Sequence, residues 1–295
     1  MNETEGTFSE ISDDWLLSSM PFISFCCEND ALYSMRLLTG PGNGAFGYQY
    51  HEFVDNKNYF AASTTFPEDQ DIVDSHAEQA LAGGRPVVSR YRFVTADGEP
   101  VPVLLASQTV LGADGEVLGL SGFAFDLRLC PALQGEWGVL SSLRVPAILR
   151  APAKPTTDYK SEWLTNYLPV DTFVCENDEN YSIRVNRGAM EETLGYSTED
   201  FRRAGPIKPW SVLHPDDQDV SDAYFEAAAS HEGTITVARI RLVAKSTEPV
   251  PVLVFARGVK LPDTDEIAIS GGVLNITHVP ALQGPSKLLS AELPT

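Results

Sequence analysis

The second half of the chain shows a regular order of apolar segments and polar turns. Between residues 162 and 284, short apolar runs are separated by clusters rich in Asn, Asp, Gly and Pro. The elements that this pattern predicts are, in chain order, strands at 172–175 and 182–186, a short helix at 189–194, a longer helix at 217–230, and strands at 234–244, 250–260 and 266–276. This order predicts an α+β domain: a five-stranded antiparallel sheet with helices on one face.

The first half of the chain repeats this pattern. A shift of 148 residues aligns the beginnings of the two halves, and after one inserted residue the shift becomes 149. The longest matches pair Trp15–Leu16 with Trp163–Leu164, Cys27–Asp30 with Cys175–Asp178, Pro100–Leu104 with Pro249–Leu253, and Pro131–Gly135 with Pro280–Gly284. A period of this length corresponds to a whole domain and not to a solenoid repeat. We therefore predict two copies of one domain.

The ends of the repeat divide the chain into five segments. They are a flexible N-terminus at 1–14, a first domain at 15–135, a linker at 136–161, a second domain at 162–284 and a C-terminal tail at 285–295. The linker contains Pro146, Pro152 and Pro155, which favours an extended connection.

Charge and cysteine content exclude several classes of protein. The formal net charge is −20, and no Lys/Arg-rich run is present, so we expect no nucleic-acid partner. The acidic N-terminus lacks the features of a signal peptide, and no apolar run is long enough to span a bilayer, so we expect a cytoplasmic protein without a membrane partner. The cysteines do not have zinc-site spacing and are expected to be reduced and buried: Cys26, Cys27, Cys130 and Cys175.

Short motifs of the second copy follow one another in the order typical of PAS domains. They are Val185–Arg187, Leu194–Ser197, Trp210–Leu213, His214–Asp217 and Leu274–Thr277. The second copy, and through the repeat the first, therefore resembles the PAS family. The resemblance implies a cavity between sheet and helices that holds a ligand or cofactor, and domains that pair readily, from which we expect a homodimer.

The long helix of the first copy carries a histidine on its apolar face. The stripe of less polar residues consists of Ile72, Val73, Ala77, Ala80 and Leu81. His76 lies four residues after Ile72 and four before Ala80, so it is predicted to face the sheet. The matching residue of the second copy is Tyr224, so the fold does not require a histidine at this position.

The resemblance suggests a cofactor for this histidine. Flavin photosensors of the family carry a cysteine in an Asn-Cys-Arg context before the long helix, and neither copy has it. Heme-binding members use one histidine on this helix, which implies heme b with His76 as axial iron ligand and Ile72, Val73 and Ala80 beside it. In those relatives the histidine usually lies one helical turn earlier, near Val73. The alternative is a half-buried histidine bonded to a backbone carbonyl.

The strand at 89–93 is predicted to form the opposite wall of that cavity. Its side chains alternate between the two faces of the sheet. The second copy has apolar residues at the positions that match Ser89, Tyr91 and Phe93, so these three side chains should point inward. Tyr91 is then the candidate hydrogen-bond donor to a bound molecule and the tentative catalytic residue. Arg90 should face outward. It remains a candidate for the distal side of the heme, where a ligand of the iron would bind, because some heme PAS sensors use an arginine on this strand.

Three functions remain open. The chain contains none of the common hydrolase, P-loop, metalloprotease or kinase motifs. Its tandem organisation and His76 resemble the heme-dependent PAS lyases that split the nitramine N-nitroglycine into nitrite and a glyoxylate-type product, with the chemistry in the first copy and a structural or dimerising role for the second. The alternative is a sensor of a gas or small ligand that contacts a partner protein through an exposed sheet face or the helix around Trp15. The third possibility is an empty scaffold that only dimerises.

Overall fold

The structure is a computed structural model of the 295-residue chain. It describes residues 11–41, 44–54, 62–83, 85–112, 114–141, 161–179, 181–188, 193–197, 200, 209–262 and 265–292.

Each half of the chain forms one six-stranded antiparallel sheet with a long helix against it, and the first half also has a separate two-stranded sheet at 44–45 and 48–49. Domain 1 contains the helices α1 (Asp13–Ser19), α2 (Tyr50–Val54) and α3 (Gln70–Leu81), and the strands β1 (Ile23–Glu28), β2 (Met35–Thr39), β3 (Gly44–Ala45), β4 (Tyr48–Gln49), β5 (Val87–Val94), β6 (Pro100–Leu111), β7 (Val117–Asp126) and β8 (Gly138–Val139). Domain 2 contains the helices α4 (Ser161–Tyr167) and α5 (Gln218–Ala229), and the strands β9 (Asp171–Cys175), β10 (Ile183–Arg187), β11 (Ile235–Val243), β12 (Pro249–Lys260), β13 (Ile267–Asn275) and β14 (Lys287–Glu292). The α+β class and the duplication are confirmed.

Each sheet has one strand more than the sequence predicts. The strand orders are β2-β1-β7-β6-β5-β8 and β10-β9-β13-β12-β11-β14. The added edge strands, β8 and β14, come from segments assigned to the linker (136–161) and to the tail (285–295). Both strands extend the sheet of the domain that precedes them in the chain and cover its edge.

Part of the predicted N-terminal segment 1–14 is described. Ser12 caps helix α1 by accepting a hydrogen bond from the Trp15 N–H at 3.2 Å, so residues 12–14 belong to this helix and its cap. Residues 1–10 lie outside the described residues. The linker between 142 and 160 and most of the short helix predicted at 189–194 also lie outside the described residues.

The sheets are apolar on both faces. In β6, Val103 and Leu105 join the core between sheet and helices of domain 1, whereas Leu104 and Ala106 join a second core that also contains residues of domain 2. Strand β12 shows the same alternation, since Val254 faces the helix side and Phe255 faces the shared core. Side chains on both faces are therefore buried, and the expected solvent-exposed sheet face is occupied by the other domain.

The two domains pack through these outer faces, with α1 and α4 in contact between them. The Ser19 hydroxyl of α1 lies 2.6 Å from the Ser270 hydroxyl of β13, and the equivalent Ser121 of β7 donates a hydrogen bond to the Tyr167 carbonyl of α4. Each N-terminal helix thus contacts the sheet of the other domain. Because the contacts repeat, the chain has the form of an internal pseudo-dimer.

Aromatic rings fill the centre of this interface. The Phe255 ring of domain 2 lies 4.8 Å from the Phe125 ring and 5.9 Å from the Phe123 ring of domain 1, measured between centroids. Phe22 packs over Gly272, where an added Cβ would stand only 2.9 Å from the ring. A glycine at this position lets the two domains approach closely.

Candidate functional site

His76 lies on the inward face of α3, as predicted, and both of its ring nitrogens are occupied. Its Nδ1 lies 2.7 Å from the Ser89 hydroxyl of β5, and its Nε2 lies 2.7 Å from the Ser107 hydroxyl of β6. His76 is only 2% exposed, and both serines are buried. A neutral imidazole suits this arrangement, because one ring nitrogen donates a hydrogen bond to one serine hydroxyl while the other ring nitrogen accepts a hydrogen bond from the second.

Burial keeps this histidine uncharged. Loss of hydration lowers the pKa of His76 to about 3. The equivalents in domain 2 are Tyr224, Ala238 and Ala256, so neither serine is retained where the histidine is missing. His76, Ser89 and Ser107 therefore form a matched set that belongs to the core of domain 1.

The other predicted residues surround this set without forming one site. Ser89, Tyr91 and Phe93 face inward as expected, and burial raises the pKa of the Tyr91 hydroxyl above its usual range. Ala80 is fully buried, whereas Ile72 and Val73 are half-buried against the same core. Arg90 lies on the outer face and donates to the Glu136 carbonyl at 3.4 Å, away from His76.

These contacts do not fit an axial heme ligand. Iron binds a ring nitrogen through its lone pair, and here each ring nitrogen is engaged by a serine within hydrogen-bond distance. Freeing one nitrogen would leave a buried hydroxyl without its partner. Heme binding stays a prediction from the sequence, and the geometry around His76 does not favour it.

Domain 2 contains a cavity between its sheet and α5. The cavity encloses about 90 Å³, and its walls include Phe173 of β9, Ile240 of β11, Val254 of β12 and Val273 of β13. The rings of Tyr181 and Phe225, stacked with centroids 4.2 Å apart, form a partly exposed section of the wall. The described lining residues carry no charge, so the cavity suits a small and largely apolar molecule.

One buried amide faces this apolar space. Asn186 of β10 lines the cavity and is only 4% exposed. Neither its Oδ1 nor its Nδ2 has a hydrogen-bond partner within the described part of the chain. Buried amides nearly always find partners, because leaving one unpaired costs free energy. Domain 1 has Leu38 at the matching position, so the fold itself does not require the amide.

Two further polar groups beside the cavity stay protonated. Burial raises the pKa of the Cys175 thiol and of the Tyr224 hydroxyl well above their usual ranges. The Tyr224 hydroxyl is near Thr236 but does not reach hydrogen-bond geometry with it. The cavity is therefore electrically neutral over the physiological pH range.

Sequence reasoning missed Asn186. The strand pattern treats this residue as an ordinary position of β10. Whether its carboxamide finds a hydrogen-bond partner depends on which groups other elements place beside it, and the local pattern does not show this. A comparison of the two copies could have detected it, because Asn186 aligns with Leu38 while Phe173, on the neighbouring strand, aligns with Phe25.

Family models match both halves of the chain. A model described as PAS fold matches residues 43–124, and a model described as PAS domain matches residues 170–278. Both domains belong to the PAS family. The two matches together cover most of the chain, and tandem PAS domains are typical of sensor-type proteins.

Solved structures with local similarity include three PAS-type proteins. An RNA-binding light-oxygen-voltage receptor matches with 13% identity over 87% of this chain and 96% of its own, at a TM-score of 0.33. The N-terminal domain of a diguanylate cyclase with PAS/PAC sensor from Marinobacter aquaeolei shares 24% identity over 36% of this chain and 94% of its own, at a TM-score of 0.31. The Cycle PAS-B domain of Drosophila melanogaster with bound ethylene glycol shares 13% identity over 36% and 98%, also at 0.31. TM-scores this low support no inference about this chain, and no curated protein gives a significant match.

The described residues contain neither a group of metal-ligating side chains nor a membrane-spanning helix. They contain no cluster of three or more His, Cys, Asp or Glu side chains that could hold a metal ion. None of their helices has the length and hydrophobicity to cross a membrane.

Proposed function

We propose that this tandem PAS protein is a small-ligand sensor whose binding chamber is the cavity of domain 2. The observation that carries the proposal is an apolar cavity, open in part at Tyr181 and Phe225, whose lining includes one buried amide without a hydrogen-bond partner among the described residues. A ligand would fill the space and pair with the amide, which supplies a reason for both features. This assigns ligand binding to domain 2, whereas the sequence favoured domain 1.

The cavity is connected to the interface with domain 1 by strands that contribute side chains to both. Val254 lines the cavity, and its neighbour Phe255 packs on the Phe123 and Phe125 rings of domain 1. Strand β13 has the same arrangement, with Val273 in the cavity and Leu274 in the shared core. A molecule that displaces either strand changes the domain interface, because packed cores transmit small displacements.

Xenon is a suitable first probe, because it enters enclosed apolar cavities without requiring hydrogen bonds. We expect dissolved xenon to shift the backbone amide signals of β9, β12 and β13 in two-dimensional NMR spectra of the full chain. Val254→Phe should abolish these shifts by filling the cavity. The matched control is Leu105→Phe at the equivalent position of domain 1, which should leave them unchanged. Xenon shifts in domain 2 that survive Val254→Phe would contradict the proposal.

The heme-dependent nitramine lyase is the competing proposal. It requires one His76 nitrogen to leave its serine partner, and its support is the position of His76 on the long helix. Its test is the absorption spectrum of the purified protein. A Soret band that His76→Ala removes, together with nitrite release from N-nitroglycine under reducing conditions, would favour the lyase over the sensor.

A further inference from the structure

The unpaired side chain in the cavity of domain 2 restricts the chemistry of its ligand. The Asn186 carboxamide presents an acceptor, Oδ1, and a donor, Nδ2–H, side by side. A molecule that carries a matching donor and acceptor side by side, attached to the same carbon, would satisfy both groups at once. Primary amides, lactams, ureas and protonated carboxylic acids have such an edge.

The walls of the cavity exclude charged molecules. None of the described lining residues is ionisable near neutral pH, since Cys175, Tyr181 and Tyr224 have pKa values raised by burial. A carboxylate or ammonium group would lose its hydration without meeting a counter-charge. A carboxylate would also place its oxygen against the Asn186 Oδ1, where two acceptors repel each other.

The volume of the cavity restricts the size of the ligand. The cavity of about 90 Å³ is smaller than the roughly 150 Å³ apolar cavities that accept benzene. This limits the ligand to a molecule with fewer non-hydrogen atoms than benzene while the walls keep their positions. The remainder of the molecule should be largely apolar, because Phe173, Ile240, Leu242 and Val273 line the cavity, although the Ser221 and Tyr224 hydroxyls interrupt this apolar wall.

We infer that domain 2 binds a small neutral molecule with one amide-type edge, held by paired hydrogen bonds to the Asn186 carboxamide and surrounded by apolar side chains. This inference rests on the proposed function, since it requires that the cavity of domain 2 be the binding chamber. It explains why Asn186 is unpaired while Leu38 occupies the matching position of domain 1. The same carboxamide would discriminate against apolar molecules of equal size, which leave it unsatisfied.

Two isosteric probes test the chemistry. Propionamide has an adjacent donor and acceptor, whereas butanone replaces the amide NH₂ by a methyl group and keeps only the acceptor. In NMR titrations of the full chain we expect propionamide to bind roughly tenfold more tightly than butanone. Asn186→Leu should reverse this order, because the leucine favours the more apolar probe and leaves the polar edge of propionamide unpaired.

Controls separate the inference from the proposal on which it rests. If Val254→Phe abolishes binding of both probes while Asn186→Leu leaves their ratio unchanged, the cavity is the site and the inferred ligand chemistry is wrong. If Val254→Phe leaves both affinities unchanged, the proposed function is wrong. Val254→Leu, which installs the residue that domain 1 carries at 105, replaces the phenylalanine variant if that variant does not fold.

A measurement on the unaltered protein covers the case in which Asn186→Leu does not fold. The side-chain NH₂ signals of Asn186 should shift strongly on addition of propionamide, because a hydrogen bond forms where none exists. Propionamide that shifts the backbone signals of β9 and β13 but not this NH₂ group would overturn the inference.

Discussion

His76, Ser89 and Ser107 illustrate how a residue that looks functional in the sequence can be part of the core. The imidazole bridges two serine hydroxyls at 2.7 Å on each side. Domain 2 replaces all three residues together, by Tyr224, Ala238 and Ala256. A joint replacement is expected of a satisfied buried network, because removing one member leaves the others unpaired.

The replacement of this set can be tested directly. His76→Tyr alone should destabilise the chain by about 2–4 kcal/mol, because the larger ring is crowded against two hydroxyls that have lost their partner. Adding Ser89→Ala and Ser107→Ala installs the domain 2 set and should recover more than half of the loss. Urea unfolding of both variants measures this. A triple variant no more stable than the single one would show that the three residues are independent.

The buried imidazole also predicts an acid sensitivity. Its pKa is about 3 in the folded chain and about 6.5 when unfolded, so between these values the unfolded chain binds the additional proton. The stability that it contributes is complete above pH 6.5 and falls with decreasing pH, by up to about 1.4 kcal/mol per pH unit. Unfolding free energies measured from pH 7 to 4.5 should show this slope in the wild type. The same slope in the triple variant would contradict the assignment to His76.

At the residue scale, the sequence predicted the face to which a side chain points better than the atoms that it contacts. The stripe on α3 placed His76 inward, and strand alternation placed Ser89 inward and Arg90 outward; all three agree with the structure. The bond to Ser107 was not foreseen, since Ser107 lies on another strand, 31 residues from His76. Helical periodicity identifies the buried face but not the atom that meets a side chain there.

The start of each long helix is tied to the sheet by an ion pair. Asp217 accepts hydrogen bonds from the Arg241 N–H, Nε and Nη2, and from the Ser286 hydroxyl. Burial opposes its charge, but these hydrogen bonds outweigh that effect and lower the pKa of Asp217. Asp69 and Arg92 form the equivalent pair in domain 1, and Arg92 lowers the pKa of Asp69.

Asp217→Asn should cost about 1–3 kcal/mol at neutral pH, because it removes a charge-assisted set of hydrogen bonds. The matched control is Asp216→Asn. The Asp216 side chain is 76% exposed and lies 3.6 Å from Arg241, so its loss should cost less than about 0.5 kcal/mol. The lowered pKa makes the Asp217 contribution complete above about pH 4 and lost below it. Equal costs for the two variants, measured by thermal unfolding, would contradict this assignment.

At the element scale, the edge strands were the main omission. The long helix predicted at 217–230 and the predicted inner strands agree with the structure because each has its own periodicity. The helix predicted at 189–194 lies mostly outside the described residues. Strands β8 and β14 lack such a signal, since Gly138–Val139 is only two residues long and Lys287–Glu292 lies in a segment without a partner nearby in sequence. Their pairing is decided by the exposed edges of β5 and β11.

At the scale of the whole molecule, the shared core makes the domains interdependent. Phe255 is fully buried among rings of domain 1, so Phe255→Ala should cost about 3–5 kcal/mol. We expect the wild type to unfold in one calorimetric transition and Phe255→Ala to separate it into two. Phe225→Ala, in the partly exposed cavity wall, is the control and should keep one transition. Two transitions in the wild type would contradict the coupling.

The internal pseudo-dimer also bears on oligomeric state. The sequence led us to expect a homodimer, but the outer sheet faces and the apolar face of α1 are already buried within one chain. We therefore expect a mass near 32.2 kDa in light scattering. A dimer mass that persists on dilution would show that a surface other than these faces mediates pairing.

The sequence by itself determined the duplication, the α+β class, the order of the inner elements and the inward face of α3. Each of these follows from spacing along one segment, or from comparison of two segments of the same chain. Tertiary structure alone decided that both faces of each sheet are buried, that Ser107 binds His76, and that Asn186 faces a cavity without a partner. Each of these features lies where segments distant in sequence come into contact. Whether a side chain there is buried or hydrogen-bonded depends on the atoms that the other segment contributes, and the local sequence pattern does not identify those atoms.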